Sequence, residues 1–226
     1  MASFDALETT WAEGSVAYRR VAVTREAAPE LETWLTLGER TVDYGELKEF
    51  DRPGLERLLP DLRVLSGTDP ASYIPECVRS LAQVGVALRF VPPIPGLGIY
   101  GATRWVRGRP IVQLSLRQKT DDQLWFTLFH EFGHILLHSQ NGLYLTGDAG
   151  TPEEEADQFA ADALIPPAYL ARLPRRRDLA AVRALADELG VAPGIVLGRA
   201  QRETGDYAWG HSLKQRFDFV AEESAP

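Results

Sequence analysis

The sequence is poor in cysteine and has no long apolar run. Its single cysteine, Cys77, excludes an internal disulfide and also a zinc site built from thiolates. The first residues, MASFDALETTW, lack the basic segment and apolar core of a signal peptide. No uninterrupted apolar stretch approaches the roughly 18 residues that a membrane span needs. We therefore expect a cytoplasmic protein that does not span a membrane.

Positive charge is scarce relative to negative charge. The chain has 24 Lys and Arg residues against 32 Asp and Glu residues, which gives a formal net charge of −8. Because each phosphate contact needs Lys or Arg, we expect no direct binding to nucleic acid or to an anionic membrane. The dense basic run Arg175-Arg176-Arg177 follows Pro174 and is predicted to be a solvated loop.

The overall composition is typical of a globular protein, with 45% hydrophobic and 25% charged residues. A chain of 226 residues can bury a substantial core without disulfides or structural metals. A metal site in this protein is therefore expected to serve chemistry rather than to hold the fold together.

Hydrophobic periodicity predicts strands in the middle of the chain and helices on both sides of them. VALRFV (86–91) alternates like a strand, and IYGATRWV (99–106) and PIVQLSL (110–116) are rich in β-forming residues. The short turn at 107–109 between the last two segments predicts a hairpin. We therefore predict an α+β fold with a small antiparallel sheet and helical N- and C-terminal regions.

Three of the predicted helices have recognisable first residues. PECVRSLAQVG is predicted to begin at Pro75. TDDQLWFTLFHEFGHILLH begins with Thr120 and has Gln123 three residues later, which is a capping-box arrangement. TPEEEADQFAADALIP is predicted to have Thr151 as its N-cap and Pro152 in its first turn.

The segment WFTLFHEFGHILLH contains His130 and His134 four residues apart, with Glu131 directly after the first. Residues i and i+4 share one face of a helix, so both imidazoles can reach one ion, and neutral imidazole suits Zn²⁺. Glu131 points roughly 100° away around the helix, where its carboxylate can accept a proton from zinc-bound water. This is the H-E-x-x-H pattern of zinc metalloproteases.

The competing interpretation is a buried helix that carries these polar residues incidentally. Such a helix would bury two histidines and a glutamate among apolar neighbours such as Trp125, Phe129 and Phe132. Burying those groups without partners costs several kcal/mol. The pattern therefore favours the metal site.

A third ligand is needed, because a catalytic zinc normally has three protein ligands and one open position. His138 lies two turns from His130, roughly 12 Å of rise on a straight helix, which is too far for the two to share an ion. We expect His138 to be structural or to hydrogen-bond a ligand.

The better candidate lies in TPEEEADQFAADALIP. Glu153 and Asp157 share one helix face, so Glu153 can ligate the metal while Asp157 hydrogen-bonds the outer nitrogen of a ligand histidine. Glu154 can hydrogen-bond back to the Thr151 backbone, which would give it a local structural role, but it remains the main alternative ligand. An exposed acidic first turn, favoured by the helix dipole, is the alternative to any metal role.

The two segments together resemble the paired motifs of the ImmA/IrrE family of zinc metallopeptidases. The likeness rests on WFTLFHEFGHILLH and on EEEADQFAADALIPP further along the chain. GATRWVRGRPIVQLSLRQKTDD and LGVAPGIVLGRAQ also resemble members found behind HigA-type antitoxin regulators, so the likeness covers residues 30–217 approximately. It implies a zincin-like fold whose sheet packs against the HExxH helix, with Glu153 as a gluzincin-like third ligand and Asp157 as its partner.

The resemblance also implies a bacterial intracellular regulatory protease. Members typically cleave or control a helix-turn-helix repressor, in stress responses or toxin–antitoxin regulation. We expect a helical N-terminal region (1–74) and a zincin-like metallopeptidase domain with C-terminal helices (75–226), joined in one continuous unit. No DNA-binding domain is recognised, so DNA binding is expected on a separate partner.

The expected function is therefore a zinc-dependent endopeptidase that acts on a repressor or antitoxin, with Glu131 as general base. The expected ligands of Zn²⁺ are His130, His134 and Glu153. The alternative function is a non-proteolytic regulatory module whose zinc site is intact but which acts by binding a partner protein. Hydrolysis of a non-peptide amide is a further alternative. For the oxyanion, Tyr144 and His211 are candidates on residue type alone.

Overall fold

The computed structural model describes residues 29–140, 142–146 and 150–217. The absence of a signal peptide was predicted from residues that lie outside these ranges. Among the described residues, the helices and strands follow the chain in this order: α1 (Pro29–Arg40), α2 (Arg52–Leu65), α3 (Pro70–Gln83), β1 (Ala87–Phe90), β2 (Gly101–Val106), β3 (Arg109–Leu114), α4 (Asp121–Leu137), β4 (Leu143–Leu145), α5 (Thr151–Leu164), a 3₁₀ helix (Pro167–Arg172), α6 (Leu179–Leu189), α7 (Pro193–Thr204) and a second 3₁₀ helix (His211–Leu213).

The predicted hairpin is present. Strands β2 and β3 pair antiparallel, from Gly101 opposite Leu114 to Val106 opposite Arg109. The turn residues Arg107 and Gly108 have φ values of 51° and 74°. Two successive positive φ values give a turn whose twist matches the twist of the strands it joins.

The sheet has the order β1-β3-β2-β4, and its pairing is mixed. Strand β4, which was not predicted, pairs antiparallel with β2. Strand β1 pairs parallel with β3, contrary to the expectation of a wholly antiparallel sheet. The connection 91–100 reverses the chain and leaves one strand position open beside β1. Because β3 enters that position after the hairpin, it runs in the same direction as β1.

A continuous hydrophobic cluster joins the sheet to described helices that precede it and that follow it in sequence. It includes Leu55 and Tyr73 from before residue 75, Trp125 from α4, and Leu185 and Val196 from the last two helices. The α+β class is confirmed, with α4 packed against the small sheet as in a zincin. The division at residue 75 stays a prediction, since residues from both sides of it share this cluster.

Two predicted helix starts are wrong. Helix α3 begins at Pro70, five residues before Pro75, because the Asp69 side chain caps it by accepting a hydrogen bond from the Ala71 N–H. Helix α5 has Gly150 rather than Thr151 as its N-cap. Gly150 has a φ of 133°, a conformation that glycine adopts far more readily than threonine.

Thr120 is the N-cap of α4 as predicted, but its side chain makes no capping hydrogen bond. The chain near residue 216 takes over this role, because the Asp121 N–H donates to the Gln215 carbonyl at 2.9 Å and Thr120 bridges to Arg216. The C-terminal part of the described chain is thus hydrogen-bonded to the start of α4.

None of the helices in the described residues has both the length and the apolar composition that a membrane span requires.

Asp121, at the start of α4, is a buried carboxyl group with only 3% of its surface exposed. Its Oδ1 atom accepts hydrogen bonds from the backbone N–H groups of Asp122 and Gln215. Burial nevertheless raises the pKa of Asp121 to about 6. The carboxylate of Asp122 is neutralised separately, by Lys214 at 2.6 Å.

We expect Asp121→Asn to remove a pH-dependent loss of stability. Because its folded pKa is raised, Asp121 keeps its proton to higher pH in the folded protein than in the unfolded chain. The stability linked to that proton is complete below the unfolded pKa of 3.8 and is lost as pH rises through about 6. The loss is at most about 3 kcal/mol. Urea denaturation of metal-free protein between pH 4 and pH 7 measures it.

The control for this experiment is Asp187→Asn, since Asp187 is an exposed carboxylate on α6. Its free energy of unfolding should follow the same pH dependence as that of the wild type. If the Asp121→Asn protein also follows the wild-type curve, then Asp121 is already ionised in the folded protein over this range.

Candidate metal centre

Helix α4 places His130 and His134 side by side in the protein interior. Their Nε2 atoms lie 3.0 Å apart, and the two residues are 1% and 0% exposed. The i and i+4 spacing stacks the two side chains one turn apart on the same helix face. The helix is buried over most of its length, so both rings are held by packing.

Helix α5 brings Glu153 to these two histidines. Its Oε2 atom lies 3.2 Å from His130 Nε2, and its Oε1 atom lies 3.1 Å from His134 Nε2. The helices approach closely because Gly133 of α4 faces Ala156 of α5. A Cβ atom added at Gly133 would lie only 2.9 Å from Ala156 Cα.

These three groups fit a single metal ion. Nitrogen and oxygen ligands about 2.0–2.1 Å from a tetrahedral ion lie about 3.3 Å from one another. The two imidazole nitrogens lie 3.0 Å apart, and each lies 3.1 or 3.2 Å from one of the two Glu153 carboxylate oxygens, so the groups are near enough to share an ion. Among the described residues, the three offer ligand atoms that all lie within 4.8 Å of one another. Glu154, the alternative ligand, does not belong to this group and instead lines the cleft beside it.

The electrostatics of the three groups are strongly coupled. Burial alone would raise the pKa of Glu153, but hydrogen bonds to His130 and His134 lower it to about 2. Burial alone would lower the pKa of His130, but Asp157 and Glu153 together raise it to about 9. Burial lowers the pKa of His134. Since a ligating imidazole must be neutral, metal binding would release the proton of His130.

The outer nitrogens of both histidines are also hydrogen-bonded. His130 Nδ1 lies 2.9 Å from Asp157 Oδ1, and the other oxygen of Asp157 accepts a hydrogen bond from Arg202 at 2.9 Å. His134 Nδ1 lies 3.0 Å from His138 Nδ1. Asp157 therefore occupies the position expected of it, and His138 contacts a predicted ligand without joining the group of three.

Glu131 is completely buried beside the sheet. Its Oε2 atom accepts a hydrogen bond from Thr103 Oγ1 at 2.6 Å, and its Oε1 atom accepts one from Thr146 Oγ1. Strand β2 approaches so closely that a Cβ atom added at Gly101 would lie 2.5 Å from Glu131 Oε1. Burial raises the pKa of Glu131 to about 7, which suits a group that accepts and releases a proton near neutral pH.

The two threonines were missed by the sequence analysis. Thr103 lies in a predicted strand, but the alternation of residue types along a strand does not show which helix each face of that strand contacts. Thr146 directly follows β4, a three-residue strand too short to produce a recognisable pattern.

The two oxyanion candidates differ in position. The ring of Tyr144 stacks on that of His134, with 4.5 Å between centroids, and its hydroxyl donates to the Ser139 carbonyl at 3.1 Å. Tyr144 therefore packs behind a predicted ligand, with its hydroxyl already engaged. His211 is exposed at the start of the second 3₁₀ helix.

A cleft of roughly 390 Å³ opens beside the three converging groups. His130, Glu153 and Asp157 form part of its wall. The rest of the wall is mixed polar and aromatic, and includes Tyr100, Gln118, Gln123, Phe126, Thr127, Thr146, Gly150 and Glu154. The volume lies in the range of small-molecule and cofactor sites.

The fold and the site together define a zincin-like α+β protein with a candidate metal centre. Residues 91–201 match the protein-family model of the IrrE N-terminal-like domain, Peptidase_M78, which is a metallopeptidase-type family. Residues 91–201 therefore form a domain of the ImmA/IrrE type, as the sequence motifs predicted. No curated protein matches the chain significantly.

We expect Gly133→Ala to weaken metal binding by separating α4 from α5. The added methyl group would push Ala156 away, and Glu153 lies three residues from Ala156 on the same helix. Overpacking of this kind also lowers the stability of the folded protein by about 1–3 kcal/mol, and the better helix propensity of alanine offsets up to about 1 kcal/mol of this loss. Urea denaturation in chelator and titration with Zn²⁺ measure the two effects.

Gly67→Ala is the control, because a Cβ atom there would meet no neighbouring atom closer than 3.5 Å. It should bind metal as the wild type does. Wild-type metal affinity and stability in the Gly133→Ala protein would mean that the contact between the helices does not set the position of Glu153.

Proposed function

We propose that this protein is a zinc-dependent endopeptidase of the ImmA/IrrE type. One observation carries the proposal. Two imidazoles and a carboxylate converge at distances that suit one ion, and a buried carboxyl group with a pKa near 7 follows the first imidazole. The family match independently supports a metallopeptidase.

Zinc is the metal that this donor set favours. Two histidines and one glutamate form a ligand set of catalytic zinc sites, which leave the fourth position open. When bound, zinc supplies a Lewis acid that polarises a carbonyl group and makes a coordinated water more acidic. We assign His130, His134 and Glu153 as its ligands.

Glu131 is the general base in this proposal. Its carboxylate accepts a proton from the attacking water and then delivers that proton to the leaving amine. Thr103 and Thr146 each donate a hydroxyl hydrogen bond to one carboxylate oxygen and so fix its orientation. A remaining lone pair on either oxygen is free to accept the proton.

The oxyanion-stabilising group stays unassigned. Tyr144 is disfavoured because its hydroxyl already donates to a backbone carbonyl and its ring packs on His134. Among the residues that line the cleft, Tyr100 is the one that carries a phenol group and could take this role.

The proposed substrate is a partner protein, a helix-turn-helix repressor or an antitoxin. This part of the proposal rests on the resemblance of the motifs to regulatory members of the family. The acidic chain supports it indirectly, because recognition of DNA would then fall to the partner.

We expect Glu131→Gln to keep zinc and to lose proteolysis. The amide cannot act as a base, whereas the three ligands are unchanged. Removing a general base typically lowers the rate by about 10²–10⁴-fold. Zinc content by elemental analysis and cleavage of a co-encoded repressor measure the two properties.

The same experiment separates the enzyme from a non-proteolytic module that acts by holding its partner. Equal effects of the wild type and the Glu131→Gln protein on the repressor would favour the binding module. Purified wild-type protein without zinc would contradict both interpretations.

We expect Glu153→Ala to lose the metal and Glu154→Ala to retain it. Glu153 contacts both histidines, while Glu154 lies outside the group of converging ligand atoms. Titration with Zn²⁺ against a chromophoric chelator measures both affinities. Loss of zinc in the Glu154→Ala protein alone would exchange the roles of the two residues.

A further inference from the structure

His138 and Glu155 form a chain of hydrogen bonds behind His134. His138 Nδ1 lies 3.0 Å from His134 Nδ1, and His138 Nε2 lies 3.0 Å from Glu155 Oε2. The His138 side chain is 8% exposed and that of Glu155 is 56% exposed, so this series of hydrogen bonds leads from the buried centre to the surface.

Metal binding would determine which nitrogen of His134 and which nitrogen of His138 carries the proton. His134 Nε2 faces Glu153 and His130, so it must be unprotonated in order to ligate. The proton of His134 is then on Nδ1, which donates to His138 Nδ1. His138 Nδ1 must therefore be an acceptor, and its own proton is on Nε2, which donates to the Glu155 carboxylate.

The ring of Tyr144 keeps this arrangement in place. Its centroid lies 4.5 Å from that of His134 and 5.3 Å from that of His138. Both imidazoles therefore pack against the same aromatic ring. Rotation of either ring would break a hydrogen bond and this packing together.

The two predicted ligand histidines thus have different outer partners. His130 has a carboxylate, Asp157, directly against its Nδ1 atom. His134 has the imidazole of His138 in that place, and the carboxylate of Glu155 lies one residue further out. Outer partners of this kind fix the tautomer and the ring orientation of a ligand.

We propose that His138 and Glu155 are positioning residues for His134, which hold it as the Nδ1–H tautomer with Nε2 directed at the metal. This inference rests on the proposed zinc site. His138 acts by accepting the His134 proton, and Glu155 acts by holding His138 in the accepting tautomer.

Four variants of the full chain test the proposal. His138→Phe keeps an aromatic ring against Tyr144 but offers no acceptor. His138→Asn places an oxygen near the position of Nδ1 and so restores the acceptor. Glu155→Ala removes only the outer carboxylate. Glu188→Ala, which removes one partner of the exposed ion pair with Arg172, is the matched control for Glu155→Ala.

The first measurement is the affinity for Zn²⁺, by competition with a chromophoric chelator. We expect His138→Phe to lower the affinity 10–100-fold, as loss of such outer partners does in other metal sites. His138→Asn should recover most of the loss. Glu155→Ala should lower the affinity by about two- to fivefold, since the group is exposed, and Glu188→Ala should have no effect.

The second measurement is the tautomeric state, by long-range ¹H–¹⁵N NMR of the imidazole nitrogens in the zinc-loaded wild type. The chain has 4 histidines, so the spectrum can be assigned. We expect His134 to be protonated on Nδ1 and His138 on Nε2. This measurement needs no variant and remains decisive if His138→Phe fails to fold.

Failure of this inference differs from failure of the proposed function. If the wild type binds no zinc, the metal centre itself is wrong. If the wild type binds zinc but His138 carries its proton on Nδ1, or if His138→Phe binds zinc as tightly as the wild type, the positioning role is wrong and the centre stands.

Discussion

The close contact between α4 and α5 is what brings a third candidate ligand to the two histidines. The two histidines of α4 provide only two ligands, and a catalytic zinc normally has three, so the third has to come from another segment. Gly133 removes the side chain that would hold α5 away, and Ala156 adds little bulk on the other side. The carboxylate of Glu153 therefore reaches both imidazoles while it stays part of a regular helix.

Burial makes this centre rigid, but placing its polar groups in the protein interior costs free energy. Polar groups in an apolar interior cost several kcal/mol unless each finds a partner. Here Glu131 accepts two hydroxyl hydrogen bonds, and Glu153 is paired with both histidines. The hydrophobic cluster around Trp125 and Phe129 then fixes the helix that carries them. A site held in this way needs little rearrangement when a metal binds.

The outer partners connect the buried centre with two separate regions of the fold. Asp157 is itself held by Arg202 of α7, so the last long helix of the described chain supports His130. His138 and Glu155 support His134 from the opposite end of α4. The cleft opens along α4 on the side of Phe126 and His130, which leaves one face of the centre accessible.

The elements whose signals are local could be predicted from the amino-acid sequence. The spacing of His130, Glu131 and His134 needs only the period of one helix, and the hairpin needs only its turn and the residues beside it. The choice of Glu153 followed from its helix face and from the family resemblance. The packing of the folded chain was needed to show which strand face meets α4, and hence the contacts of Thr103 and Thr146 with Glu131. The same packing sets the parallel pairing of β1 and the contact of His138 with Glu155, because both join segments that are distant in sequence and no local pattern predicts them.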